Sequence, residues 1–89
     1  MSEPRRLVLI QWVDSFGVSP NWREIGECAP GVLTCQSVGW LLHDAEDCKV
    51  IVPHLAGSEP DAATAEQGCG DMTIPASAII SIVDLQAKT

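Results

Sequence analysis

The segment from Gly68 to Ile82 constrains the fold of this chain most strongly. It contains a glycine-rich turn, a short strand that ends in Ile74-Pro75, three small residues at positions 76–78, and a final β-branched strand. A proline followed by small residues between two paired strands is typical of one turn of 3₁₀ helix. Small β-barrels often end in this way, so the segment predicts an all-β domain and indicates no particular activity.

Apolar, β-branched runs separated by turn-forming residues complete the predicted domain. Gly39, inside one of these runs, predicts a bend or a bulge, and the charged residues 43–47 predict a hairpin between the strands on either side. The run that begins at Leu7 is continuously apolar at its start, which is typical of a strand buried on both faces. Because 89 residues provide one core, we expect a single five-stranded small barrel. Its strands are predicted at residues 7–13, 32–42, 48–55, 72–74 and 79–85.

Two long connections interrupt these strands. The first, residues 14–31, contains Ser19, Pro20, Trp22 and Ile25 in an order that predicts a short helical turn, with Ser19 as its N-cap. The second, residues 56–70, is rich in small and polar residues without periodicity, and we expect a flexible loop there. Residues 1–6 are expected to form a flexible N-terminus.

The charge of the chain limits its partners. There are 12 acidic and 5 basic residues, which give a formal net charge of −7. A negative surface repels phosphate backbones, so no nucleic-acid binding is expected. A basic protein partner and a role in solubility alone are both compatible with this charge. No apolar run approaches the ~18 residues of a membrane helix, and we expect a cytoplasmic protein without membrane contact.

The residues that could carry chemistry form no recognised motif. The four cysteines include no Cys-x-x-Cys pair and no histidine lies at ligand spacing, so neither a metal site nor a cofactor is expected. In a reducing cytoplasm we expect buried free thiols. His43 or His54 could act as a base only beside a serine or cysteine. We therefore expect a protein that is not an enzyme, with a Cys/His-dependent enzyme as an alternative.

The main candidate binding residues surround the first long connection. Trp12, Asp14 and Ser15 at the end of the first strand, with Trp22 in the loop after it, could line a pocket for a planar ligand or a proline-rich partner. The structural alternative is that Trp22 covers the core and that Asp14 caps a turn through Ser15.

A second candidate contact lies at Gly70 and Asp71. Glycines around an acidic residue allow the backbone to approach a ligand or a neighbouring subunit closely, and the alternative is a simple hairpin turn. The nearly uncharged strand at 48–55 would invite pairing with another copy if it lay at a sheet edge. We therefore expect a homo-oligomer.

The order of these motifs resembles that of a group of short proteins encoded by phages and prophages. The pattern is Trp-x-Asp-Ser at 12–15, Cys-x-Ser-Val-Gly-Trp-Leu at 35–41 and Gly-Asp-Met-x-Ile-Pro at 70–75. A looser similarity connects the strand order to SH3-like and Sm-like small barrels. The phage resemblance implies a binding protein that inhibits or redirects a host defence protein in the bacterial cytoplasm.

The alternative partner is a small molecule. An oligomer of this chain could sequester a host signalling molecule, with a tryptophan stacked on its ring and backbone amides of 68–70 on its polar edge. A nucleotide ligand would also need positive groups. The chain offers Arg5, Arg6, Arg23, Lys49 and Lys88 for this purpose.

Overall fold

The computed structural model describes residues 5–15 and 18–88, and these residues form an all-β structure without an α-helix. This confirms the prediction of an all-β domain. The strands are β1 (Leu7–Ser15), β2 (Val32–Asp44), β3 (Cys48–Val52), β4 (His54–Ala56), β5 (Gln67–Cys69), β6 (Met72–Pro75) and β7 (Ile79–Asp84). Two 3₁₀ turns lie at Ile25–Glu27 and Ala76–Ala78.

Five of the strands form one antiparallel sheet in the order β6-β3-β2-β1-β7. The predicted 3₁₀ turn at Ala76–Ala78 is confirmed and joins β6 to β7. The expected pairing of these two strands is wrong, because they are the opposite edges of the sheet. A flat five-stranded sheet separates its edges by about 19 Å, whereas the chain from Pro75 to Ile79 spans at most about 14 Å. The sheet is therefore curled, and its edges approach each other at this turn.

Pro53 divides the third predicted strand into two. Proline has no N–H to donate to a strand ladder, so β3 ends at Val52, and β4 leaves the main sheet to pair with β5. β5 lies within residues 56–70, where the sequence predicts only a flexible loop. After β5, Gly70 has a φ of +82° and turns the chain into β6, in a left-handed conformation that favours glycine.

The main core cluster lies on one face of the curled sheet, whereas Val52, which is also fully buried, lies on the other face. The buried residues of the main cluster are Val8, Ile10, Ile51 and Ile74. Trp12 and several aliphatic side chains pack against this cluster without being fully buried. Leu7 and Leu9, on the opposite face of β1, are only half-buried. The prediction that the start of β1 is buried on both faces is therefore correct only for the face that carries Val8 and Ile10.

At Gly39, β2 approaches β3 closely. A Cβ atom at this position would lie 3.1 Å from the backbone N and O of Val52 and from Cβ of Ile51. The absence of a side chain therefore allows close approach of the two strands. The predicted hairpin between β2 and β3 is confirmed, and its register shift falls between Leu41 and His43, beyond the glycine.

Beyond the sheet, β1 and β2 continue as a two-stranded ribbon. β7 pairs with β1 as far as Trp12, and β3 pairs with β2 from Trp40 onward. Residues 13–15 and 32–34 pair with each other, and every described residue from 18 to 34 is exposed. We call residues 13–15 and 18–34 the arm, and the rest of the described chain the body.

The arm makes the molecule elongated. Its extents are 61 × 29 × 26 Å and its radius of gyration is 17.8 Å, compared with ~12 Å for a compact chain of this length. The helical turn predicted from Ser19 is displaced, since the 3₁₀ turn begins at Ile25. The Ser19 hydroxyl instead donates a hydrogen bond to the Asn21 carbonyl.

Ion pairs attach the first strand to the rest of the body. Arg5 contacts Glu66 at 2.6 Å, and Arg6 contacts Asp84 at 2.8 Å. Residues 1–4 of the expected flexible N-terminus lie outside the described residues, whereas Arg5 and Arg6 are held by these contacts. No helix in the described chain has the length and apolar character needed to cross a membrane.

Candidate functional site

Trp22 lies at the tip of the arm and is entirely exposed, at 104% of its reference accessibility. Val18 and Ile25 beside it in sequence are 97% and 87% exposed. The loop that holds them is interrupted by Pro20 and Gly26, and in its described part, residues 18–31, the regular structure is limited to a three-residue 3₁₀ turn. The alternative that Trp22 covers the core is wrong, because its indole is fully exposed.

An open cleft of about 390 Å³ lies beside the exposed Trp22 indole. Its lining residues are Ser19, Pro20, Asn21, Trp22, Arg23 and Cys28. Two contacts shape this end of the arm: the Arg23 guanidinium donates to the Glu27 carbonyl at 2.8 Å, and the Cys28 thiol donates to the Glu24 carbonyl at 3.6 Å. The cleft therefore combines an aromatic face, one guanidinium and one exposed thiol.

Trp12 belongs to the body and not to this cleft. Its ring packs against the core, and its Nε1–H donates a hydrogen bond of 3.0 Å to the Ser37 hydroxyl on β2. The Ser37 hydroxyl in turn lies 4.0 Å from the Met72 sulfur on β6. The indole thus links three strands, so the two tryptophans that the sequence groups together have separate environments.

Asp14 and Ser15 lie at the base of the arm, where both are exposed. The Asp14 carboxylate accepts a hydrogen bond of 2.8 Å from the Ser15 backbone N–H. This contact agrees with the turn-capping alternative, and neither residue lines the cleft around Trp22.

Gly70 and Asp71 occupy the turn between β5 and β6. A Cβ atom on Gly70 would lie 3.1 Å from the Pro53 ring and 3.9 Å from the His54 ring. Asp71 is exposed. Neither residue lines the Trp22 cleft, so the structure places the second candidate contact apart from the first.

Three of the five basic side chains are engaged with carboxylates. Arg5 pairs with Glu66, Arg6 with Asp84, and Lys49 with Asp44. The hydrogen bond from Arg5 lowers the pKa of Glu66, and the hydrogen bond from Lys49 lowers the pKa of Asp44. Arg23, in contrast, bonds to a backbone carbonyl.

The cysteines are free thiols, but the expectation that they are buried is wrong. Cys28 and Cys69 are exposed, and Cys35 and Cys48 are partly exposed. His43 and His54 are also exposed. Within residues 5–15 and 18–88, no group of three His, Cys, Asp or Glu side chains is arranged to hold a metal ion. The Cys/His-dependent enzyme stays an untested alternative.

Sequence reasoning missed that Val18 and Cys28 accompany Trp22 at the tip. A signal was present, because both lie between Ser15 and Gly31, in the stretch already identified as a long connection.

Comparison of the chain with known protein families, curated proteins and solved structures finds no significant match.

Proposed function

We propose that this chain is a small non-enzymatic binding protein that docks onto a partner protein through the arm tip. The observation that carries the proposal is the complete exposure of Trp22 together with Val18 and Ile25. Tryptophan is enriched among residues that dominate binding energy, and clustered exposed apolar side chains mark interaction surfaces. The tip also projects from the body, so a partner can surround it.

The charge around Trp22 favours a particular kind of partner. Glu24 and Glu27 follow the indole within the same exposed loop, and the whole chain has a net charge of −7. An apolar recess bordered by lysine or arginine side chains on the partner would complement this tip. The long-range field would also accelerate encounter with a basic surface.

A small-molecule trap is the second candidate, and the Trp22 cleft is the observation in its favour. Its volume of about 390 Å³ and the adjacent Arg23 guanidinium suit a small anionic ring compound. However, every lining residue is exposed, so a ligand would stay largely hydrated. In addition, Arg5, Arg6 and Lys49 are engaged by carboxylates. These observations favour protein binding over the trap.

The resemblance to phage-encoded proteins extends the proposal to a biological setting. The partner would be a host defence protein in the bacterial cytoplasm, which this chain inhibits or redirects by occupying its surface. We also propose that the curled sheet is an SH3-like or Sm-like small barrel. Its strand order and the short turn between its two edge strands support this assignment.

The test compares Trp22→Ala with Ile80→Ala as a matched control. Ile80 is an exposed apolar residue on β7 of the body, so its replacement removes a similar surface away from the tip. The immobilised wild-type chain and both variants are incubated with bacterial lysate, and captured proteins are identified by mass spectrometry. For a purified captured protein, we expect Trp22→Ala to weaken binding by about 30-fold, the scale of a hot-spot residue. Ile80→Ala should bind as the wild type does.

Native mass spectrometry of the chain after exposure to lysate distinguishes the two candidates. A retained protein that is lost with Trp22→Ala supports protein binding. A retained small molecule that is lost with the same variant supports the trap. Capture that is unaffected by Trp22→Ala in a normally folded variant would contradict the assignment of the tip as the binding site.

A further inference from the structure

Cys69 and His54 form a directly opposed pair in the two-stranded sheet of the body. β4 and β5 are antiparallel, and their register places Cys69 opposite His54. The Cβ atoms of such a pair lie about 4.5–5.5 Å apart, with both side chains on the same face of the sheet. Rotation of the side chains can therefore bring the Cys69 sulfur within hydrogen-bond distance of the imidazole.

This pair faces solvent because the other face of the β4–β5 sheet packs against the body. A Cβ atom on Gly68, the residue before Cys69, would lie 3.1 Å from Cγ2 of Val52, which is fully buried. Successive side chains of a strand point to opposite faces, so Cys69 points away from Val52. Cys69 and His54 are both exposed, and a small molecule can reach either side chain.

The residues on both sides of Cys69 are glycines, and they hold this segment close to the body. A Cβ atom on Gly70 would lie 3.1 Å from Cγ of Pro53 and 3.9 Å from Cδ2 of His54. The absence of side chains allows the backbone beside the thiol to pack against Val52 and Pro53. The imidazole therefore lies beside the turn that follows the thiol, and the strand that carries the thiol has a fixed position.

The other cysteines of the described strands have no such partner. Cys35 is paired with Trp12, and Cys48 is paired with Pro75. Partial burial also raises the pKa of the Cys48 thiol, which lowers its nucleophilicity at neutral pH. Among the cysteines in these strands, Cys69 alone is opposed by a side chain that can accept a proton.

We propose that Cys69 is a thiol modification site with His54 as its base, and that its substrate is a small disulfide without negative charge. An adjacent base that takes the proton of a thiol activates cysteine as a nucleophile. The exposed face of the β4–β5 sheet leaves space for the group that becomes attached to the sulfur. The net charge of −7 repels anionic disulfides and favours neutral or cationic ones.

The reaction is thiol–disulfide exchange. The His54 imidazole accepts the thiol proton, and the Cys69 thiolate attacks one sulfur of the small disulfide. An S–S bond forms between Cys69 and this sulfur while the original S–S bond breaks, and the departing thiolate takes the proton from the imidazolium. Cys69 is oxidised to a mixed disulfide, the small disulfide is reduced to one free thiol and one bound half, and His54 returns to its neutral form.

The test measures the reaction rate of each cysteine in the full chain. The chain is incubated with hydroxyethyl disulfide, which is neutral, and acid-quenched samples are analysed by peptide mass spectrometry. Cys28 is the internal reference, because it is also exposed but lies outside the strands, where its thiol donates to the Glu24 carbonyl. We expect Cys69 to react about tenfold faster than Cys28, less than the 100-fold or more that a base contributes in an enzyme active site.

Two histidine variants identify the base. His54→Gln should slow the reaction of Cys69 about tenfold and leave that of Cys28 unchanged. His43→Gln is the matched control, because His43 is also exposed but is paired with Val50 instead of a cysteine. Amide hydrogen exchange at β4 and β5 checks that His54→Gln keeps the sheet, and His54→Asn is the second variant if it does not.

This inference does not rest on the proposed function, because the pair lies in the body and the proposed docking residues lie at the arm tip. Trp22→Ala should therefore leave the rate of Cys69 unchanged, whether or not it weakens binding of a partner protein. Loss of the Cys69 reaction in His54→Gln with partner binding intact would separate the two sites.

Three results would overturn the proposal. The first is a Cys69 thiol that reacts no faster than Cys28. The second is a fast reaction of Cys69 that persists in folded His54→Gln, since this would exclude His54 as the base. The third is a faster reaction with the anionic dithiodiglycolate than with hydroxyethyl disulfide, after each rate is divided by that of a free cysteine peptide with the same reagent. This would contradict the substrate class.

Discussion

The body and the arm share two strands, β1 and β2, yet the apolar residues of these strands are buried in the body and exposed in the arm. In the body, Val8 and Ile10 of β1 are fully buried. In the arm, Val32 and Leu33 of β2 are 65% and 49% exposed. Backbone pairing therefore continues well beyond the region in which side chains are covered. Burial of the apolar residues of the body stabilises the fold, whereas the exposed apolar residues of the arm contribute little to its stability.

The energetic consequence is large. Burial of one aliphatic side chain contributes about 1.5–3 kcal/mol to stability, and an isolated two-stranded ribbon in water is marginal at best. The four-residue buried cluster of the body thus supports the whole molecule. The arm gains little from its own apolar surface, which leaves that surface available for an external contact.

The sharpest test of this difference replaces two isoleucines. Ile10→Ala removes a fully buried side chain, and we expect it to lower the free energy of unfolding by about 2–5 kcal/mol. Ile25→Ala removes an 87% exposed side chain and should change it by less than about 0.5 kcal/mol. Urea unfolding followed by circular dichroism measures both. A loss above about 1 kcal/mol for Ile25→Ala would show that the arm packs against the body in solution.

A second pair of variants tests the backbone rather than the side chains. Gly39→Ala would place a methyl group 3.1 Å from backbone atoms of Val52, and we expect a loss of about 1–3 kcal/mol. A Cβ atom on Gly26, in the arm, would meet no heavy atom within 4 Å. Gly26→Ala should therefore shift stability by less than about 0.5 kcal/mol. Equal losses in the two variants, measured by thermal unfolding, would contradict the view that the body is tightly packed at Gly39 whereas the arm is open at Gly26.

The sequence predicted the body well because its signals are local. The charged residues 43–47 and the apolar runs on either side identify the β2–β3 hairpin, and Ile74-Pro75 identifies the turn before β7. The division of the third predicted strand at Pro53 was missed. Pro53 indicates where a strand could be interrupted, but β4 leaves the main sheet because it pairs with β5. β5 is a strand of three residues within a loop of small residues. Its pairing depends on tertiary structure.

The candidate site was predicted only in part, for a similar reason. Trp12 and Trp22 are 10 positions apart, and sequence spacing could not show that one ring packs on the core while the other projects at the arm tip. That distinction depends on where β7 and β3 stop pairing with β1 and β2. The sequence also could not show that Leu9, Val38 and Val83 lie side by side on the face opposite to the core, because these residues come together only through strand register.

The smallest predicted effect concerns how the β4–β5 sheet is attached to the rest of the body. Glu66, just before β5, accepts hydrogen bonds from Arg5 at 2.8 Å and from Ser58 at 2.6 Å. Both hydrogen bonds lower the pKa of Glu66 in the folded chain, and the one from Arg5 has the larger effect. A carboxyl group with a lowered folded pKa contributes stability above its unfolded pKa, and this contribution is lost as the pH falls through the folded value.

We therefore expect hydrogen exchange of the β4 and β5 amides, corrected for intrinsic rates, to accelerate a few-fold between about pH 6 and pH 3. Glu66→Gln should show the faster exchange already at pH 6, with little further change on acidification. Glu59→Gln, at an exposed position in the same loop, is the matched control and should behave as the wild type does. Exchange at β4 and β5 that is independent of both pH and Glu66 would mean that packing alone attaches this sheet. The Arg5–Glu66 ion pair would then contribute nothing to that attachment.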